Sequence, residues 1–281
     1  MAVPYNLGTA MPVSLDQLVA ATRRKVAETR RSADIRSLER QAESHMPRGF
    51  RENLKKTSRS GVAVIAELKK ASPSRGLIRA DFDPLKLAKE LEAAGAAALS
   101  VLTDEEFFQG SLENLRVASA ATQLPCLRKD FMVDEFQLLE ARANRADAIL
   151  LIVAALSQAE LVDLAKKSRE LGLDVLCEAH DEVELKRALD AGCDLVGVNS
   201  RDLRTFKVDL ETAFRLGELI PRNVVSVAES GIHTGADVAR LRAAGYQAFL
   251  IGESLMKAEH PGDALRDLLR TTNDQRRTTV L

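Results

Sequence analysis

Cysteine and histidine are scarce in this 281-residue sequence, which holds three of the first and four of the second. The cysteines, Cys126, Cys177 and Cys193, are odd in number, widely spaced and form no CxxC pair. That excludes a dense disulfide framework or a cysteine zinc site; they read as reduced core thiols of a cytoplasmic protein. His45, His180, His233 and His260 are equally scattered, so no metal site is expected. Long apolar runs are missing too. The longest, Ala148 to Leu156, is about half of the ~20 residues that a membrane-spanning helix requires. No leader-type apolar stretch follows Met1, so neither a secretory signal nor a membrane partner is expected. Nor is one sign of charge in excess: 40 Lys and Arg face 41 Asp and Glu, a net charge of −1. A nucleic-acid partner would call for a basic stripe or surplus. The clusters Arg23-Arg24-Lys25 and Arg276-Arg277 are short and read as a solvated helix face and tail.

What is present is an ordinary globular composition, 46% hydrophobic and 29% charged, sufficient for a large core. At about 150 residues per domain the length suggests two domains, yet α/β barrels of about 250 residues form one. From Val62 onward a single pattern recurs: a short apolar run, a polar loop, a helix. Strands are predicted at 62–67, 97–102, 125–128, 147–153, 174–178, 194–199, 224–229 and 247–251. Several are continuously apolar, as parallel strands buried on both faces are. Helices are predicted at 84–94, 111–121, 134–144, 157–171, 181–190, 209–219, 234–244 and 262–271, with apolar residues recurring at three and four. Pro84, Ser111, Ser157, Asp181 and Asp209 stand at their starts, and Gly95, Gly172, Gly192 and Gly245 just past their ends.

Eight such units predict an α/β fold, the (β/α)8 TIM barrel. A doubly wound open sheet is the runner-up, but it would place a Gly-rich turn after its first strand, where Glu67-Leu68-Lys69-Lys70 stands instead. Residues 1–60 show amphipathic stretches at 14–30, 35–43 and 50–57 without a strand. They predict an N-terminal helical extension packed on the barrel, within one domain spanning 1–281. Met46-Pro47-Arg48-Gly49 reads as a connector.

In this barrel chemistry sits at the C-terminal strand ends, and phosphate commonly binds at loops seven and eight. The first strand ends at Glu67, with Lys69 on the same face two residues on, before Ser72-Pro73-Ser74. The third ends at Lys129-Asp130, the fifth at Glu178 and the sixth at Asn199-Ser200-Arg201. The seventh ends at Glu229-Ser230-Gly231 and the eighth at Gly252-Glu253-Ser254. Any one such residue is readily an ordinary salt-bridge partner. Lysines and glutamates delivered by separate strands to one mouth suggest acid–base work. The glycines at loops seven and eight would let backbone N–H groups approach a phosphate.

Several segments resemble the indole-3-glycerol phosphate synthase family. Ala66-Glu67-Leu68-Lys69-Lys70-Ala71-Ser72-Pro73-Ser74 is similar to its first-strand motif, and Leu127-Arg128-Lys129-Asp130-Phe131 to its third. Val198-Asn199-Ser200-Arg201-Asp202-Leu203 is similar to its sixth. Ala228-Glu229-Ser230-Gly231-Ile232 and Ile251-Gly252-Glu253-Ser254-Leu255-Met256 resemble its phosphate loops, and Phe107-Phe108-Gln109-Gly110-Ser111 its second loop.

The resemblance implies a decarboxylating, dehydrating ring closure of 1-(2-carboxyphenylamino)-1-deoxyribulose 5-phosphate, without metal or organic cofactor. It implies Lys129 as general acid, Glu178 as base or acid in dehydration, Glu67 as its helper and Lys69 as a bridge to an anionic end of the substrate. Asn199 and Glu229 would orient the reacting chain, and Arg201 would take the ring carboxylate through its planar fork. Ser72, Ser230, Gly231, Gly252 and the backbone near Glu253 would hold phosphate, while Phe107, Phe131 and Leu151 would wall the aromatic ring. The Glu253 side chain should turn away from the phosphate. Desolvation and a neighbouring Lys69 should lower the Lys129 pKa from about 10.4. Residues 1–60 would cap the substrate side or merely plug the barrel. The expected partner is this small molecule alone, with the chain a monomer or weak homodimer; no second catalytic barrel is expected after Leu281.

Three rivals stay open. Phosphoribosylanthranilate isomerase would want a Cys and Asp pair where Glu67, Asn199 and Glu229 stand. A Schiff-base aldolase would use Lys129 as nucleophile. A silent phosphate-binding subunit would have lost the acid–base set.

Overall fold

A computed structural model describes residues 14–202 and 205–279, the last seven as backbone. Leu203 and the side chains of Arg276 and Arg277 lie outside the described residues. Three helices come first: α1 (Leu15–Ser32), α2 (Ile35–Glu43) and α3 (Phe50–Ser60). Ser14 starts α1 with a reciprocal cap, its hydroxyl accepting from the Gln17 N–H and its own N–H donating to the Gln17 side chain. β1 (Ala63–Leu68) follows, then a small hairpin of β2 (Ala71–Ser72) and β3 (Gly76–Leu77), and α4 (Pro84–Ala93). Next come β4 (Ala98–Leu102), a one-turn α5 (Glu105–Phe108), α6 (Leu112–Ala121), β5 (Cys126–Lys129) and α7 (Glu135–Ala143). β6 (Ala148–Ile152), α8 (Gln158–Glu170), β7 (Asp174–Ala179), α9 (Glu182–Asp190), β8 (Leu195–Asn199) and α10 (Leu210–Gly217) continue the alternation. The chain finishes through β9 (Val225–Glu229), α11 (Gly235–Ala243), β10 (Ala248–Ile251), α12 (Glu253–Lys257) and α13 (Pro261–Thr279).

Eight of these strands close into a parallel barrel in the order β1-β10-β9-β8-β7-β6-β5-β4. Closure is direct: β1 pairs with β10 at Ala63–Ala248 and with β4 at Ile65–Ala98. An open doubly wound sheet would leave two edge strands, each with an unpaired side. Each predicted strand is present within a residue or two; the hairpin, α5 and α12 are additional.

Period-two alternation splits the core into two layers. Ala63, Ile65, Leu127, Ala148, Leu150, Leu176, Leu195, Val227 and Leu250 fill the barrel interior. Val64, Leu99, Ile149, Leu151, Cys177 and Val196 face the helices. The extension serves both ends. Phe50 and Leu54 of α3 are fully buried within the inner cluster, closing the N-terminal end; burial of each stabilises by about 1.5–3 kcal/mol. Leu18 of α1 reaches the opposite end, where it lines the mouth. Among the described residues the extension thus contacts the barrel at both ends. Exposed pairs such as Arg23–Glu160 at 2.9 Å and Arg30–Asp134 at 3.1 Å tie α1 to the rim, each worth at most about 1 kcal/mol.

The cysteine expectation needs correction. Cys177 and Cys193 are joined as a disulfide, their Cα atoms 6.5 Å apart. Cys177 points outward from β7, and α9 returns antiparallel over that face, bringing Cys193 back to it. Cys126 is free and buried, its thiol pushed up to about 12 by that burial. Among the described residues no helix is long and apolar enough to cross a membrane, and no cluster of His, Cys, Asp and Glu is arranged to hold a metal.

Candidate active site

The inward positions of β1, β5, β7 and β9, followed to the C-terminal end, change from apolar to charged. Above Ile65 stands Glu67; above Leu127, Lys129; above Leu176, Glu178; above Val227, Glu229. Together with Lys69 and Asn199 they line one cavity of about 300 Å³ at the barrel mouth. Lys129 occupies its centre, Nζ 2.9 Å from Glu178 Oε2 and 3.7 Å from Glu229 Oε2. Lys69 Nζ donates to Glu67 Oε1 at 2.5 Å. Asn199 Oδ1 accepts the Arg201 N–H at 3.0 Å, fixing the start of the next loop.

Burial sets these groups against one another. For Lys129 burial alone would lower the pKa, but the charges of Glu178, Glu229 and Glu67 outweigh it and hold the ammonium above the usual lysine range. The expected downward shift is thus reversed, because the nearest charges are carboxylates rather than Lys69. Burial would raise Glu178, yet Lys129 and His180 hold it below the ordinary carboxylate range. Glu229 goes the other way, raised well above that range by burial and then by the charge of Glu178. Two carboxyl groups on one lysine are thus pushed in opposite directions. Such divergence separates acid and base roles.

Two expected ring contacts are displaced by one residue. Leu151 faces the helices from the outer layer, while its neighbours Leu150 and Ile152 line the cavity. Phe107 is half-buried away from the lining, its N–H donating to the Asp104 side chain at 2.7 Å. Phe108 lines the cavity instead, its ring 6.4 Å from that of Phe131. A helical step turns about 100° per residue, so α5 can present only one of its two rings. Phe131, Leu18, Leu150 and Ile152 complete an apolar wall on this side.

The opposite wall is polar backbone. Ser230 and Gly231 both adopt left-handed conformations, φ 65° and 76°, and both line the cavity. A Cβ on Gly231 would press on Val208 and Leu210. Ser72, Gly252, Ser254 and Arg201 line the same end. Glu253 departs from expectation, because its carboxylate remains at the cavity rim. Arg75 at 3.0 Å, Lys257 at 2.6 Å and Arg201 at 3.7 Å surround it, so this end keeps a net positive charge.

Sequence reasoning missed Asp104, whose carboxyl at the cavity is pushed up to about 6 by burial. It also missed His180, two residues beyond Glu178. The spacing argument that joined Lys69 to Glu67 applies equally to that pair.

A sequence model of the family described as indole-3-glycerol phosphate synthase matches residues 15–268. The chain belongs to the indole-3-glycerol phosphate synthase family. A protein of that name from Koribacter versatilis (strain Ellin345) is 58% identical over 259 residues, covering 92% of this chain and all of the relative. One from Desulfotalea psychrophila (strain LSv54 / DSM 12343) is 50% identical over 258 residues, 91% of this chain and 98% of the relative. Among solved structures, thiamine phosphate pyrophosphorylase from Pyrococcus furiosus superposes with a TM-score of 0.58 at 15% identity. It covers 76% of this chain and 96% of the other. That likeness shows the barrel alone.

In this family member Gly197 of β8 faces inward below Asn199, and a Cβ there would collide with the Glu229 carboxylate. Glu229 Oε1 lacks a hydrogen-bond partner, so no hydrogen bond at that oxygen resists its displacement. Gly197→Ala is expected to reduce kcat by about 10- to 100-fold, the scale of an ångström-size misplacement, with KM much less affected. Steady-state kinetics beside a thermal melt check this. Unchanged kcat in a folded variant would show that the position of Glu229 is immaterial.

Proposed function

We propose that this mouth closes the indole ring of indole-3-glycerol phosphate from 1-(2-carboxyphenylamino)-1-deoxyribulose 5-phosphate. The phosphate lies against Ser72, Ser230, Gly231 and Gly252 with the backbone N–H of Glu253. The aromatic ring lies against Phe131, Phe108, Leu150 and Ile152. Lys69 and Arg201 are the cations for its carboxylate and the neighbouring anionic groups.

The ring carbon that bears the carboxylate bonds to the ketone carbon, and the carbonyl electron pair moves to oxygen. Lys129 protonates that oxygen. Its elevated pKa keeps the proton available, and a developing alkoxide is more basic than an amine, so transfer is downhill. Carbon dioxide then leaves, returning its bonding pair to the ring. In the last step the new hydroxyl takes a proton from the Lys69 ammonium and leaves as water, while the adjacent CH2 gives a proton to Glu178 and the freed pair forms the ring double bond. Return of the Glu178 proton and uptake of one from solvent restore the two lysines. Glu229, Glu67 and Asn199 orient the reacting chain and its hydroxyls. The reading rests on one observation above all: Lys129 within reach of two carboxyl groups whose pKa values are pushed apart, between an apolar wall and an anion cradle.

Purified protein incubated with the carboxyphenylamino substrate is expected to develop indole fluorescence, and borohydride is expected to trap no imine on Lys129. Absence of fluorescence would sink the proposal. Trapped imine would favour aldolase-type chemistry.

A further inference from the structure

One buried ionisable group beside the site has no role in the scheme above. His180 follows β7 directly, its side chain 12% exposed, and it lies outside the cavity lining. Nδ1 is 2.9 Å from Glu184 Oε2, the same oxygen that accepts the His180 backbone N–H at 2.9 Å. Nε2 is 3.4 Å from Glu178 Oε1, buried and without a hydrogen bond. Glu184 is itself fixed. It sits in the first turn of α9, its N–H donating to the capping Asp181 side chain at 2.8 Å.

We propose that His180 is a positioning residue for the ring closure: a stationary second cation that keeps Glu178 ionised and aimed into the cavity when Lys129 turns to the substrate. This rests on the reading of Lys129 as acid and Glu178 as base. Lys129 has two incompatible duties in that scheme. It must neutralise Glu178 before the reaction and release its proton to the ketone oxygen during it. Once Lys129 is neutral, a carboxylate buried beside Glu229 would take up a proton and lose its capacity as a base. The groups facing Glu178 are Lys129 from β5, Glu229 from β9 and His180; those facing His180 are Glu178 and Glu184. Two flanking carboxylates outweigh burial and raise the imidazole to about 10, so it stays charged throughout the neutral range. It touches no substrate, and its charge is not consumed.

The test compares His180→Asn with the wild type. Losing this cation raises the Glu178 pKa, so the ionised base appears only at higher pH. The acid limb of kcat is expected to move up by about one pH unit, with kcat about tenfold lower near its foot and KM within about twofold. A purely structural role would lower kcat alike at every pH, and a stationary acid limb overturns the proposal. A second measurement needs no turnover. In the ligand-free wild type, the His180 imidazole resonances, assigned by their loss in His180→Asn, should stay doubly protonated past pH 8. They should titrate at lower pH in Glu184→Gln. Titration near the free value of about 6.5 overturns this inference alone, whereas a wild type without ring closure overturns the functional reading and this with it.

Discussion

Lys129→Ala is expected to lower kcat by about 10²- to 10⁴-fold, the range of a positioned proton donor, in a protein that still folds. Two losses combine. The substrate's oxygen loses its acid, and Glu178 and Glu229 lose the ammonium that stands 2.9 and 3.7 Å from them. Glu178 is left with His180 as its remaining cationic partner, so part of the basic function goes as well. Glu178→Gln should cost at least about 10²-fold for the same reason seen from the other side. Because the pair acts as a unit, the double variant should be scarcely worse than Lys129→Ala. Steady-state kinetics on the three variants decide it. Turnover near wild type in Lys129→Ala would remove it as the acid, and losses that multiply would mean the two groups work independently.

Much of this site was legible because strand alternation and the barrel rule act on single residues. Glu67, Glu178 and Glu229 each end an apolar run, and Lys129 ends its own strand, so their side chains had to converge once the sheet closed. β6 shows where that logic stops. Ala148–Ile152 is apolar at every position, so nothing in the run says which parity faces inward, and Leu151 was chosen where Leu150 and Ile152 point to the cavity. Phe107 and Phe108 present the same difficulty on one helical turn. The sign of the Lys129 shift was illegible for another reason. It depends on how many carboxylates close around the ammonium, which is a property of the barrel's circumference and not of any one segment. The Cys177–Cys193 pairing likewise needed the return of α9 over β7.

The connector between α2 and α3 holds the second large effect. Asp147, at the N-terminal end of β6, has a fully buried carboxylate. It accepts from Arg48 Nη2 at 2.6 Å, the Arg48 backbone N–H at 2.7 Å, the Cys126 N–H at 2.6 Å and lies 3.0 Å from His45 Nε2. The same guanidinium also donates to the carbonyls of Ser119 and Thr122 at 3.1 and 2.9 Å, fastening the extension to α6 and its following turn. Burial alone would raise Asp147, but His45 and Arg48 outweigh it and hold the carboxyl below its ordinary value. Its contribution to stability is therefore complete above about pH 4 and is lost as pH falls through the lowered native value. Arg48→Ala strands the charge and is expected to destabilise the fold by about 3 kcal/mol at pH 7. Protonation of Asp147 would relieve that penalty, so the difference from wild type should shrink towards pH 4. Since the connector lies at the opposite end of the strands from Lys129, kcat per folded molecule should be unchanged. Denaturant unfolding at several pH values, with kinetics on the same samples, provides the check. A loss below about 1 kcal/mol at pH 7 would reduce this cluster to the level of a surface ion pair; a fall in kcat would mean that the two ends of the barrel are coupled.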